Sequence, residues 1–345
     1  MVVFQVIEPG FLTTVQDLGR WGFQQYGVPV SGAMDLYALR LGNRLVGNHD
    51  CAAGLEVTIT GPTLRILEQT LIAITGGDIT PQLNGQPFPM WETVAVERGD
   101  YLTFAGLRRG CRAYITVAGG IDVPVVMGSR STYLRGRLGG LDGRLLKTED
   151  YLETVGSAAR QIAPGTQVPA ALLPAYRAHI EARVILGPQM DFFPSESVGA
   201  FLSETYKLTD QADRMGYRLE GAKIKHADQA DIISDGIAPG SVQIPGDGLP
   251  IIMLADRQTI GGYTKIATVI SSDLGKLAQA KPGDTICFHG ISLDEAHSIL
   301  GDMEQALLRW QQSLDGACLP ECGSKKYQMS INGQQFHVEI KEVGI

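Results

Sequence analysis

Residues 240–263 hold the densest group of hydrogen-bonding side chains in the chain. Its polar members are Gln243, Asp247, Asp256, Arg257, Gln258, Thr259 and Tyr263. An apolar run, residues 251–254, leads into the second part of the group, and glycines set turns around it. Buried polar groups must be hydrogen-bonded, so the group either satisfies itself at a tight corner or is satisfied by a ligand. We expect a ligand.

The residue types in this group suit chemistry on a small amide. An arginine can neutralise negative charge that develops in a transition state, and a carboxylate can orient a water molecule. The expected catalytic residues are Asp247, Asp256, Arg257 and Gln258. The expected substrate-binding residues are Arg130, Gln189, Arg214, Arg218, Gln243, Thr259 and Tyr263. We expect Arg214 or Arg218 to line one cleft with Arg130 and residues 243–263.

Other polar groups also lie beside glycine or proline. Residues 128–144 combine four arginines with five glycines, which suits bidentate binding of carboxylate or phosphate but equally suits a solvated loop. Arg214 and Arg218 share a face only if their segment is helical, and a surface pair is the alternative. Asp17 and Arg20 could form a salt bridge in a turn.

Strands and a few helices must position these groups. Short β-forming runs recur between turn signals, as in residues 55–62 and 112–120, and this spacing is typical of sandwiches or barrels. The two longest helices are predicted near residues 32–46 and 293–314. Ser31 is expected to cap the first, whose N-terminus could also receive an anion, and a capping box begins the second.

A faint internal repeat suggests two related β domains. The frame G-D-x-x-x-F-x-G occurs in residues 98–107 and again in 282–291, and each copy predicts a tight turn that enters a strand. An Ala/Pro-rich linker separates the two copies. The predicted divisions are an N-terminal β-barrel domain, this linker, a C-terminal β-barrel domain, and a helix-and-hairpin tail, at residues 1–155, 156–181, 182–291 and 292–345.

Composition excludes several classes of protein. Hydrophobic residues at 44% and charged residues at 19% are typical of a globular chain, and a net charge of −8 argues against nucleic acid or an anionic membrane as partner. The apolar runs are too short to span a bilayer. The histidines and five cysteines show no metal-ligand spacing, so no metal is expected. We expect a cytoplasmic protein.

Five segments together resemble the KipA family, also called allophanate hydrolase subunit 2, and the resemblance runs from about residue 4 to about residue 291. The segments are TTVQDLGRWGFQQYGVPVSGAMD, LEVTITGP, GGIDVPVVMGSRST, DRMGYRLEG and DRQTIGGYTKIATVI. The resemblance implies a mainly β fold with two cyclophilin-like β-barrel domains and a few helices. It also implies a subunit of an enzyme that is active only in a complex.

The resemblance implies a specific reaction. A subunit of this type works with a KipI-type subunit (PxpB) and a LamB/YcsF-type subunit (PxpA) to open the lactam 5-oxoproline to L-glutamate. ATP, which the resemblance implies is shared with the partner subunits, activates the amide oxygen by phosphoryl transfer. The alternatives are a carboxyltransferase-type subunit that acts on urea-like amides and an antagonist that binds a histidine-kinase inhibitor.

The C-terminal tail predicts a β-hairpin over residues 327–340. Asn332-Gly333 suits a two-residue turn, which sets Met329 opposite Phe336 and Tyr327 opposite Val338. The segment looks like the opening hairpin of biotin carrier domains, but no Met-Lys-Met sequence follows it. We therefore expect no biotin on this chain.

Overall fold

The computed structural model describes residues 1–316, 325–331 and 334–340. Strands hold 36% of the residues and helices 18%, which confirms the mainly β class. The helices are α1 (Leu36–Leu45), α2 (Ser195–Ser203), α3 (Leu274–Ala278) and α4 (Leu293–Gly316). The strands are β1 (Val2–Glu8), β2 (Leu12–Gln16), β3 (Gly54–Thr58), β4 (Thr63–Ile66), β5 (Thr70–Asp78), β6 (Pro81–Leu83), β7 (Gln86–Pro87), β8 (Thr93–Val96), β9 (Tyr101–Phe104), β10 (Arg109–Val117), β11 (Ile121–Asp122), β12 (Tyr151–Thr154), β13 (His179–Leu186), β14 (Thr205–Ala212), β15 (Gly216–Glu220), β16 (Asp231–Gly236), β17 (Ser241–Ile244), β18 (Ile251–Met253), β19 (Ile260–Val269), β20 (Thr285–Gly290), β21 (Lys325–Ile331) and β22 (Gln334–Ile340).

Strands β1 to β12 form two sheets that share one apolar core. The strand order is β11-β12-β1-β4-β9-β6-β7 in one sheet and β2-β3-β10-β5-β8 in the other. Phe4 and Val6 of β1 and Leu55 and Val57 of β3 lie in the common core. Their spacing of two residues places them on one face of each strand, which is why each sheet turns an apolar face inward.

Strands β13 to β20 form a sheet that closes on itself. The order is β13-β20-β14-β15-β18-β17-β19-β16, and β19 also pairs with β13, so that β16 alone lies outside the ring. Helix α2 packs on this sheet through Phe201, whose ring stacks on Phe288 with a centroid distance of 4.4 Å. Closure leaves few unpaired edges in this half of the chain.

Helices α1 and α4 are the longest in the described residues, as predicted, but the predicted N-cap of α1 is wrong. The carboxylate of Asp35, not the hydroxyl of Ser31, accepts from the N–H of Ala38, at 3.0 Å. Ser31 is held away from the helix because its N–H donates to the carbonyl of Ala255. The predicted capping box of α4 is confirmed, since Ser292 and Glu295 bond each other reciprocally.

The repeated G-D frame forms the same turn in both halves. Asp100 and Asp284 each accept the N–H of the residue three positions earlier, at 2.8 and 3.0 Å, and strands β9 and β20 follow directly. This confirms the predicted tight turn entering a strand. Asp150 accepts the same bond, at 2.7 Å, before β12, which the repeated frame did not indicate.

The segment predicted as a linker runs along the N-terminal sheets. The N–H of Val168 donates to the carbonyl of Trp91 at 3.0 Å, and the hydroxyl of Tyr176 donates to Asp35 at 2.7 Å. These bonds attach the middle and the C-terminal part of the segment to the N-terminal half.

In the tail, strand β21 pairs with β22 in the predicted register. Met329 lies opposite Phe336 and Tyr327 lies opposite Val338. The predicted turn at Asn332-Gly333 lies outside the described residues. No helix in the described part of the chain is long and apolar enough to cross a membrane.

Gln279, at the end of α3, joins the two halves of the chain. Its carboxamide oxygen accepts from the N–H groups of Cys111 and Arg112, each at 3.0 Å, and its nitrogen donates to Asp35 and to the carbonyl of Arg112, each at 2.9 Å. Burial raises the pKa of Asp35, although the hydrogen bond from Gln279 opposes this rise. One carboxamide therefore satisfies several buried polar groups on β10 and at the start of α1.

We expect Gln279→Leu to lower the free energy of unfolding by about 3 kcal/mol, because it leaves two buried N–H groups without an acceptor and removes one of the donors to the buried carboxyl of Asp35. Urea denaturation measures this change. The control is Gln69→Leu, which alters an exposed carboxamide and should change stability by less than about 0.5 kcal/mol. Equal small losses in both variants would show that Gln279 does not hold the halves together.

Candidate functional site

Two cavities lie between the halves of the chain, and Gln258 borders both. Cavity 1, of about 440 Å³, lies between residues 21–30 of the N-terminal half and residues 236–239 and 257–259 of the C-terminal half. Cavity 2, of about 450 Å³, lies between Arg135 and the β14–β15 and β17–β18 pairs. Residues 254–259 form the turn from β18 into β19. This turn thus reaches both cavities.

Arg257 and Thr259 face cavity 1 together with Trp21 and Gln24. The guanidinium of Arg257 is fixed by two bonds to backbone carbonyls, from Nε to Ile237 at 2.9 Å and from Nη1 to Leu254 at 3.1 Å. Burial lowers the pKa of Arg257 to about 10. The side chain is therefore a rigidly held cation in a poorly hydrated position.

Cavity 2 carries charges of both signs. Its predicted members are Arg218, Gln243, Gln258 and Tyr263, which the structure brings together. Further charged groups at this cavity are Arg135, Asp210 and Asp213. Arg135 lies 3.7 Å from Asp213 in a largely exposed ion pair, which contributes little to stability. Cavity 2 is thus lined by several charged groups of both signs, whereas the charged residue that lines cavity 1 is Arg257.

Arg214 and Asp256 lie behind the cavities in a buried ion cluster. Nε and Nη2 of Arg214 donate to the two carboxylate oxygens of Asp256 at 2.9 and 3.1 Å, and Nη1 donates to Glu56 of β3. Burial opposes the charge of Arg214, but Asp256 and Glu56 outweigh it and raise the pKa. Neither residue lines either cavity. Both carboxylate oxygens of Asp256 are occupied, so its expected catalytic role does not fit its position.

Asp247 and Gln189 also lie apart from both cavities. Asp247 is exposed and accepts the N–H of Leu249 at 3.1 Å, which stabilises the turn before β18. The carboxamide oxygen of Gln189 accepts the N–H of Lys265 at 3.1 Å. Each side chain has a backbone N–H as its partner, which explains a polar residue at that position without a ligand.

Arg130 does not join the expected single cleft. Its Nε donates to the carbonyl of Val123 at 3.1 Å and its Nη2 lies 3.3 Å from Asp122. Its backbone N–H donates to Asp17, which also accepts from Ser129 at 2.7 Å and anchors this loop. The glycine-rich segment is held by the N-terminal half, and it is Arg135 that extends from it to cavity 2.

The sequence interpretation missed Trp21, Gln24, Arg135, Asp210 and Asp213. Arg135 and Asp213 do lie within segments that had been recognised as polar and glycine-rich, but nothing in the spacing ranked them above Arg130 or Arg214. Trp21 and Gln24 follow Asp17 and Arg20 in a segment whose approach to residue 257 depends on tertiary contacts.

Comparison with known proteins identifies the class. The carboxyltransferase domain family, subdomains A and B, matches residues 26–290, and the chain belongs to this family. The structure superposes on the urea carboxylase of Kluyveromyces lactis with a TM-score of 0.84 at 32% identity, covering 99% of this chain and 33% of that one.

Relatives of two kinds share this domain. The chain is 38% identical to the C subunit of the 5-oxoprolinase from Escherichia coli strain K12, over 88% of this chain and 96% of the relative. It is 40% identical to the urea amidolyase of Lachancea kluyveri, over 88% of this chain and 18% of that protein. The chain therefore spans about a fifth of the amidolyase and a third of the carboxylase.

We expect Arg214→Met to lower the free energy of unfolding by about 3–5 kcal/mol, because it leaves Asp256 buried without its cation. It also removes the hydrogen-bonded cation of Glu56, which keeps only the more distant Arg112, whose Nε lies 3.9 Å away. Arg218→Met, four residues away on the exposed face, should change stability by less than about 0.5 kcal/mol. Urea denaturation of both variants measures the difference. If Arg214→Met is as stable as Arg218→Met, the buried cluster does not stabilise the junction.

Proposed function

We propose that the chain is the C-type subunit of an ATP-dependent 5-oxoprolinase, which opens 5-oxoproline to L-glutamate with a KipI-type and a LamB/YcsF-type subunit. The observation that carries the proposal is the share of each relative that this chain matches. The match spans 96% of the C subunit of the E. coli 5-oxoprolinase but 18% of the urea amidolyase. Because the match includes nearly all of that C subunit, it supports a C-type role for this chain.

We assign binding of the lactam group to Gln258, because the exposed carboxamide of this residue borders both cavities. A carboxamide can donate to the lactam oxygen and accept from the lactam N–H, which orients the ring in both directions. Among the described residues the side chain of Gln258 makes no hydrogen bond that would compete with these two. Donation to the oxygen also stabilises negative charge that develops there.

Cavity 2 fits the phosphoryl side of the reaction. ATP would supply the phosphoryl group that activates the lactam oxygen, so that water adds to the lactam carbon; the ring C–N bond then breaks, the nitrogen takes up a proton, and phosphate is released with L-glutamate. Arg135 and Arg218 offer the positive charge that such a group requires. Asp210, which is exposed at this cavity, replaces Asp247 and Asp256 as the carboxylate that orients water. The sequence has no G-x-x-x-x-G-K-[ST] motif, so we assign the remainder of the nucleotide to a partner subunit.

On this proposal the isolated chain releases no glutamate from 5-oxoproline, whereas the chain with both partner subunits and ATP does. Gln258→Ala should lower turnover by the full set about 100-fold, because one donor to a charged transition state is lost. The matched control Gln69→Ala changes an exposed carboxamide that lines neither cavity and should leave turnover unchanged. Glutamate release is measured with and without ATP. Turnover by the isolated chain would contradict the shared site.

A second function, carboxyl transfer to a urea-like amide, is favoured by the urea carboxylase structure, which matches 99% of this chain. It would use the same carboxamide to orient the acceptor nitrogen, with a separate biotin carrier. If the full set gives no glutamate but the chain accelerates urea-dependent loss of the carboxyl group from carboxybiotin, this function replaces the first.

A further inference from the structure

Cavity 1 contains a cation that has no acidic partner. Arg257 is 5% exposed, and within the described residues no carboxylate forms a salt bridge with it. Burial lowers its pKa to about 10, and no neighbouring negative charge offsets this effect. Arg214, the preceding buried arginine of the same half, differs because it pairs with two carboxylates. A buried charge without a partner is costly, so the position of Arg257 points to an anionic ligand.

The guanidinium of Arg257 is oriented for such a ligand. Nε and Nη1 each donate to a backbone carbonyl, of Ile237 and Leu254, and these two bonds fix the plane of the group. Nη2 makes no hydrogen bond to a described residue and is not among the side-chain atoms sealed from solvent without a partner. Arg257 lines cavity 1, so Nη2 is the guanidinium nitrogen left to bind a ligand there.

The walls of cavity 1 favour an anion with an apolar body. Pro29, Val30 and Ile237 line the interior, and Trp21, 55% exposed, lies at the edge. A single guanidinium balances one negative charge. A phosphate group would instead draw on several cations, such as the two arginines of cavity 2. A monocarboxylate therefore fits cavity 1 better than a phosphate does.

We propose that cavity 1 is the carboxylate subsite of the substrate, and that Arg257 selects for a small monocarboxylic acid with an apolar ring. This assignment rests on the proposed function for the identity of that acid, 5-oxoproline. Its carboxylate would bind Nη2 of Arg257, and its lactam would reach Gln258 at the border with cavity 2. Arg257 then acts in substrate recognition and not, as the sequence suggested, on the phosphoryl group.

Calorimetric binding to the full chain, alone and in the assembled complex, tests this subsite. The probes are 5-oxoproline and its uncharged carboxamide. Wild type should bind the acid at least about tenfold more tightly than the carboxamide, because the uncharged carboxamide cannot form a charge-assisted hydrogen bond with Arg257. Arg257→Met should reduce this preference to less than about twofold. Arg98→Met, which removes an exposed arginine from the N-terminal half, should retain it.

Trp21→Ala separates charge recognition from packing and does not depend on the folding of an Arg257 variant. This substitution should weaken the binding of both probes to a similar extent, so that the ratio of their affinities is unchanged. The proposal is overturned if wild type binds acid and amide equally in both settings, or if folded Arg257→Met keeps the preference. Glutamate release is a separate readout. If glutamate is released but the acid is not preferred over the carboxamide, the proposed subsite alone is wrong. If the preference depends on Arg257 but no glutamate is released, the proposed 5-oxoprolinase function alone is wrong.

Discussion

The pairing of Arg214 with Glu56 and Asp256 is the interaction on which the junction of the two halves depends. Glu56 lies in a sheet of the N-terminal half, while Arg214 and Asp256 flank strands of the closed C-terminal sheet. Glu56 also accepts from Tyr114 and from the N–H of Met34, each at 2.8 Å. Each cavity takes walls from both halves, so its shape follows from this buried cluster.

The turn between β18 and β19 divides its side chains among three environments. Asp256 points back into the buried cluster, Arg257 and Thr259 face cavity 1, and Gln258 borders both cavities. These three environments explain why the apolar strand β18 leads into so many polar side chains. The stretch is a self-satisfied corner at Asp256, whereas Arg257, Gln258 and Thr259 line cavities, and for these residues a ligand stays a prediction.

Local patterns predicted the parts of the fold and site that depend on neighbours in sequence. The capping box of α4 and the turns at Asp100 and Asp284 are made within a few residues, and they were predicted correctly. Ser31 and Asp35 suit an N-cap equally by residue type, and a tertiary bond to residue 255 decided between them. Long-range pairing likewise keeps Asp256 out of both cavities and places Arg135 at cavity 2, and no local signal ranked Arg135 above the other arginines of its segment.

The separation in sequence between Glu56 and its cation has a consequence for synthesis of the chain. Arg214 follows Glu56 by 158 positions. Strand β3 therefore leaves the ribosome long before the guanidinium that donates a hydrogen bond to its buried carboxylate exists. Domains usually fold in order from the N-terminus during synthesis. Here the first half completes its polar interior only when the second half has been made, which ties both halves to one late folding step.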